Sequence, residues 1–146
     1  MTVNEAATAS GNAVKAVYTA FNAAGATATT FFPLEKENFV GQTTGIALVN
    51  ASPSTPTQID ATYSGSCGTH VLRTISLAPG AAVSLRQVFN PSSKFTVQSG
   101  GLPQSGCKYS VSATAITGGA VIVGLGQEAT VSGTTLDIFN LEGFNQ

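Results

Sequence analysis

The only histidine, His70, would have to anchor any Ser-His-Asp relay, and no nucleophile-elbow sequence accompanies it. It falls in an apparent strand beside a turn and reads as an ordinary strand or surface histidine. One His, two separated Cys and no Asp-rich loop do not make a zinc or calcium cage. No Gly-rich loop has phosphate-cradle spacing. The densest charge cluster, Glu35-Lys36-Glu37, reads as part of a solvated loop, with a polar contact site for a partner as the sharper alternative. Glu5 and Glu128 read as polar groups at strand ends rather than as paired catalytic carboxylates. These residues predict no enzyme activity, no cofactor and no metal site.

Two binding or modification signals are weak. Sugar platforms favour exposed Trp and Tyr, whose rings have large amphipathic faces. This chain has no Trp, and Tyr18, Tyr63 and Tyr109 each lie on a strand-like alternation that could equally bury them. Asn50-Ala51-Ser52 matches a glycosylation sequon, with Pro53 directly after it.

The remaining reactive residues are Cys67, in SGSCG, and Cys107, in QSGCK. Gly/Ser-rich flanks place both in loops or at strand ends, where burial of a free thiol is unnatural. A Cys67–Cys107 disulfide is the expectation, with two unpaired thiols as the alternative. The bridge would stabilise the fold by roughly 4 kcal/mol on the chain-entropy argument and would place the protein outside the reducing cytosol.

Composition removes several partner classes. In 146 residues, 9% are charged and the formal net charge is −1, against about 25% charged in typical domains. No basic field exists to steer nucleic acid or an anionic membrane, and no apolar run approaches the ~20 residues of a membrane span. Sparse charge also offers little electrostatic resistance to self-association. The start, MTVNEAATAS, lacks the basic and apolar regions of a signal peptide, so either export information was removed or this is an internal fragment carrying a start Met.

The elements that would position these residues are strands. Thr43–Asn50 (TTGIALVN) is the clearest, and Thr27–Phe32 is a strand stopped by Pro33, followed by a polar loop over Glu35–Gln42. Thr57–Tyr63 alternates, Ser64–Gly68 is a hairpin-like turn, and Thr69–Leu77 follows. Ala78-Pro79-Gly80 is a strong turn signal leading into Ala82–Phe89. Lys94–Gln98 is a short strand, and Ser99–Cys107 a flexible insertion. Lys108–Ile116 and Ala120–Leu125 flank Thr117-Gly118-Gly119, read as a tight hairpin turn. Turn-bounded strands of this length predict an all-β, antiparallel sandwich of roughly eight or nine strands.

The head, Asn4–Asn22, echoes the tail, Gln127–Asn145. A shift of 123 places Glu5 on Glu128, Ala6 on Ala129, Phe21 on Phe144 and Asn22 on Asn145. A one-residue slip in the middle would align Ser10-Gly11 with Ser132-Gly133. The head alone is ambiguous, since Val14, Val17, Tyr18 and Phe21 have helical spacing. Its tail copy, Thr134–Leu141 (TTLDIFNL), is β-branched and aromatic, which favours a strand. The expected organisation is an N-terminal linking strand segment over residues 1–24 and a sandwich module over 25–146.

The order FFPL (31–34), TGIALVN (44–50), SLAPGAAVSL (76–85) and VIVGLGQEAT (121–130) resembles the repeated β-sandwich, immunoglobulin-like modules of secreted and cell-surface bacterial proteins. The Cys pair and the insertion around Gly100–Gly106 depart from that pattern. The resemblance carries over no active-site residue; it implies an extracellular location and a scaffold or adhesive role. The expected partner is a copy of the chain itself or a tandem neighbour, joined by strand donation. Val17, Tyr18, Phe21, Ile138, Phe139 and Phe144 are the expected assembly anchors.

Overall fold

Thr44, Ile46, Leu48 and Asn50 are buried while the residues between them are half-buried, the period-two pattern of a strand with one face on a core. In the computed structural model the described residues are organised around such strands. It describes the backbone of residues 2–9, 12–19, 23–85, 93–132, 135–142 and 144–145, and the side chains of 24–85 and 93–128. The strands are β1 (Thr2–Ala9), β2 (Asn12–Thr19), β3 (Thr29–Glu37), β4 (Gln42–Asn50), β5 (Ile59–Gly65) and β6 (Gly68–Thr74), followed by β7 (Ala82–Leu85), β8 (Phe95–Ser99), β9 (Cys107–Ala115), β10 (Ile122–Ser132), β11 (Thr135–Glu142) and β12 (Phe144–Asn145). A single 3-10 turn, Ala23–Gly25, precedes β3.

The protein is an antiparallel β-sandwich. One sheet has the order β11-β10-β4-β7 and the other β12-β3-β9-β5-β6-β8. Strands β3 to β10 form its body, as the expected count of eight or nine implies, and β11 and β12 extend its edges. The core lies between the sheets: Ile46, Leu48, Val83 and Leu85 from one side, Phe32, Ile59, Tyr63, Leu72 and Val111 from the other. Each such side chain contributes roughly 1.5–3 kcal/mol on burial. Gly124 in β10 sits tight against the opposite sheet, because a Cβ there would lie 2.5 Å from Cζ of Phe32 and 3.1 Å from Leu48. The Phe32 ring therefore occupies the space a side chain would need.

The Ala78-Pro79-Gly80 turn forms as expected. Ala81 N donates to Ala78 O at 2.9 Å, and Gly80 takes φ +77°, the positive φ that a turn with Pro at its first central position needs at its second. Asn50 anchors this corner. Its Nδ2 donates to the Thr55 and Leu77 carbonyls, and its Oδ1 accepts from Ser52 N. Fully buried and thus committed, Asn50 presents no free amide to a glycosylating enzyme.

Three expectations are corrected. Pro33 does not stop β3: the strand runs on to Glu37 across a bulge between Phe32 and Glu35. The ladder tolerates the missing N–H because β12 pairs only with Phe31 and Thr30, leaving an edge beyond them. Thr117-Gly118-Gly119 is a turn, with Ala120 N donating to Thr117 O, but it is not a hairpin. It carries the chain from β9 in one sheet to β10 in the other. The head is a strand pair, β1 with β2, rather than one linking strand. The outer part of the strand expected over Ala82–Phe89 lies outside the described residues beyond Leu85.

Candidate functional site

Two regions depart from what a plain structural sandwich requires: the paired hairpins at the two ends of the chain, and an acidic pair on β3.

The head hairpin pairs Thr2 with Thr19 through Ala9 with Asn12. The tail hairpin pairs Leu125 with Glu142 through Ser132 with Thr135. A displacement of 123 carries every pair of the first ladder onto a pair of the second, Glu5↔Ala16 onto Glu128↔Phe139 among them. The one-residue slip inferred from the Ser-Gly dipeptides is therefore absent. The dipeptides are offset by one while the strands are not. Of the expected anchors, Val17 pairs with Asn4 and Tyr18 with Val3 in the head. Ile138 pairs with Ala129 and Phe139 with Glu128 in the tail. Phe144 pairs with Phe31 at the edge of the other sheet, and Phe21 lies outside the described residues. The two hairpins meet: β2 runs beside β11 with Cα atoms within 8 Å.

Glu128, expected at a strand end, sits inside β10, 8% exposed. Lys36 Nζ lies 3.0 Å from its Oε2 and 2.5 Å from Oε1 of Gln42. Lys36 N donates to Thr44 Oγ1 at 3.2 Å. These contacts tie the far half of β3, still paired with β9, to β4 and β10 of the opposite sheet. Glu35 and Glu37, expected in a solvated loop, lie on the inner face of that half, 1% and 0% exposed. Their partners across the ladder are Tyr109 and Cys107 of β9. Their four carboxyl oxygens have no hydrogen-bond partner beyond the neighbouring carboxyl of the pair. Burial pushes the Glu35 carboxyl up to about 10, with the charge of Glu37 adding to it. Burial likewise pushes Glu37 up to about 7, the adjoining Glu35 acting in the opposite direction. At neutral pH the pair retains at least one proton because ionising both carboxyls, out of water and side by side, costs too much. Strand alternation carried unbroken past Pro33 would have placed Leu34 and Lys36 inward; the bulge between Phe32 and Glu35 shifts the phase by one and turns Glu35 and Glu37 inward instead.

The cysteines form the expected disulfide, with Cα atoms 6.0 Å apart and a separation of 40 positions in sequence. It ties the β5–β6 turn to the start of β9. Beside it His70, expected at the surface or in an ordinary strand, is 2% exposed. Its Nδ1 lies 2.7 Å from Gly100 O, and Nε2 lies 3.4 Å from the Tyr109 hydroxyl. That hydroxyl in turn accepts from Gln104 N at 3.0 Å. The rings of His70 and Tyr63 both meet Tyr109 edge-on, 5.4 and 5.9 Å between centroids. This cluster clamps residues 100–107 onto the sheet. Tyr63 and Tyr109 are buried and offer no face to a sugar; the side chain of Tyr18 lies outside the described residues. An open groove of about 420 Å³ runs between the Pro33-Leu34 bulge and the Ser64–Ser66 turn, with Lys108 and Ser110 in its wall. Among the described residues no three His, Cys, Asp or Glu side chains are grouped to hold a metal ion.

The crystal structure of Thermotoga maritima 1070 is similar to this chain, with a TM-score of 0.55 and 14% sequence identity over 81% of this chain and 93% of that one. At that identity the likeness is one of fold alone. No family model and no curated protein matches the sequence.

Proposed function

We propose that this chain is a non-enzymatic structural module that joins head to tail with copies of itself outside the reducing cytosol, as the subunit of a fibre or surface scaffold. The observation that carries this reading is the shared ladder of the two hairpins. A unit that begins with a second copy of its own closing hairpin holds one element to give and one to receive. The Cys67–Cys107 bridge supports an oxidising location, and a chain with 9% charged residues has little repulsion to overcome on assembly. Contacts of this kind between different surfaces extend into filaments when the rotation from copy to copy does not close a ring.

A second reading has the same observation behind it. In a cell-surface adhesin, or a protein that binds glycans or other partners through such modules, residues 1–22 would be the closing hairpin of a preceding unit in a tandem array, at a repeat of 123 residues. Size-exclusion with light scattering, together with negative-stain microscopy at high concentration, separates the two. The self-assembling module forms concentration-dependent linear species, and the excised tandem unit stays monomeric. Deleting residues 1–22 is expected to abolish assembly and leave the sandwich folded; fibres unchanged by that deletion would overturn strand donation.

A further inference from the structure

We propose that the outer edge of β11 is the acceptor for the β1–β2 hairpin of a second copy, so that copies join by extending a sheet rather than by filling a gap in one. This rests on the self-association reading and names the surface through which it works.

Among the described residues β4 leaves no gap beside it for a donated strand. Along Ile46–Val49, β4 is hydrogen-bonded on one side to β10 and on the other to β7. The inner face is closed as well. Displaced by 123, the head would put Met1 at the position of Gly124, where even a Cβ meets the Phe32 ring at 2.5 Å. The head hairpin therefore cannot take the place of β10, although its ladder is the same.

The edge of β11 is different. In its sheet β11 pairs with β10 and ends the strand order, and an end strand presents a row of backbone groups to any strand that approaches. A candidate strand is already near: β2 of the same chain has Cα atoms within 8 Å of β11 without joining its sheet. Charge selects what fits there. β11 carries Asp137 and Glu142 and no base, while β2 carries Lys15 and no acid. Two β11 edges brought together would set acid against acid, and like charges across a strand pair are destabilising. A β2 strand brings the opposite sign. The contact is thus between unlike surfaces, and each copy keeps one hairpin to give and one edge to accept. Nine residues, 20–28, connect β2 to β3. They span at most about 30 Å, enough for the hairpin to reach its own β11 or a neighbour's, the exchange that defines domain swapping.

The test uses the full chain, unlabelled and 15N-labelled in equal amounts, mixed, concentrated and coupled with a zero-length carbodiimide that joins amines to carboxylates. The expected result is that the assembled fraction contains Lys15 linked to Asp137 or Glu142, with about half of those links joining a light chain to a heavy one. Reversing Asp137→Lys with Glu142→Lys is expected to reduce the sedimentable fraction at least tenfold, and adding Lys15→Glu to restore it. Fibres in which Lys15 is linked to these carboxylates only within one isotope overturn the acceptor while leaving self-association standing. So do fibres with no such link at all. The labelled mixture reads the wild-type chain, so a reversed variant that fails to fold does not blunt the test. A chain that stays monomeric at every concentration overturns self-association and the acceptor with it.

Discussion

Replacing Glu35 and Glu37 by glutamine should change how stability depends on pH. Both carboxyls are buried with no hydrogen-bond partner beyond each other, and burial raises Glu35 from 4.5 to about 10 and Glu37 from 4.5 to about 7. In the unfolded chain both groups ionise near 4.5. Above that pH the folded state therefore binds more protons than the unfolded one, and stability falls as pH rises. The stabilisation is fully present below pH 4.5. The Glu37 part is lost by about pH 7, and the Glu35 part continues to fall toward about pH 10. One proton of difference is worth about 1.4 kcal/mol per pH unit. Between pH 5 and pH 7 Glu35 alone should remove roughly 2–3 kcal/mol, and the pair up to about twice that. Urea unfolding with the disulfide intact, followed at half-unit steps from pH 4.5 to 8, measures the slope. Wild type should lose stability across that range. Glu35→Gln should flatten the curve, and Glu35→Gln with Glu37→Gln should flatten it further and be the more stable protein at pH 8. A wild-type stability that rises from pH 5 to 7, or a double variant with the wild-type slope, would refute the placement of these carboxyls.

Gly124→Ala should destabilise by about 1–3 kcal/mol through overpacking against Phe32, and Phe32→Leu in the same chain should recover part of the loss; thermal unfolding of the three variants measures both. Cys67→Ser with Cys107→Ser should cost roughly 4 kcal/mol for a loop of this length, read by urea unfolding. Intact-mass analysis of the native wild-type chain should find no alkylatable thiol. Expressed in a host that glycosylates Asn-X-Ser sequons, folded protein should carry no glycan at Asn50, because that amide is buried and bonded to Thr55 and Leu77; peptide mapping decides it.

Much of the sandwich was legible because period-two alternation is local. Gln42–Asn50 differs from the expected strand by one residue, and the Pro79-Gly80 turn follows from two residues whose φ preferences are intrinsic. The flanks of Cys67 and Cys107 announced the bridge. What was not legible depends on partners distant in sequence. Glu35-Lys36-Glu37 looks solvated until the bulge after Phe32 shifts the strand phase and turns both carboxyls inward, with Thr44 of β4 and Glu128 of β10 holding Lys36 between them. Thr117-Gly118-Gly119 has the residues of a tight turn, and nothing local says that the strands it joins belong to different sheets. Pro33 reads as a terminator, yet a bulge on an edge strand accommodates it. For the proposed assembly elements the sequence echo paired two segments whose ladders match in register. Only the ladders show that both are hairpins and that one displacement relates them.

The central claim, that the duplicated hairpin joins copies of this chain, is tested most directly by mass. Light scattering of the full chain across a concentration series should show a weight-average mass climbing well beyond the single-chain 14.7 kDa, while the chain lacking residues 1–22 holds at the mass of one chain. A full-length protein that stays at 14.7 kDa at every concentration, or a truncated one that assembles equally well, would contradict it.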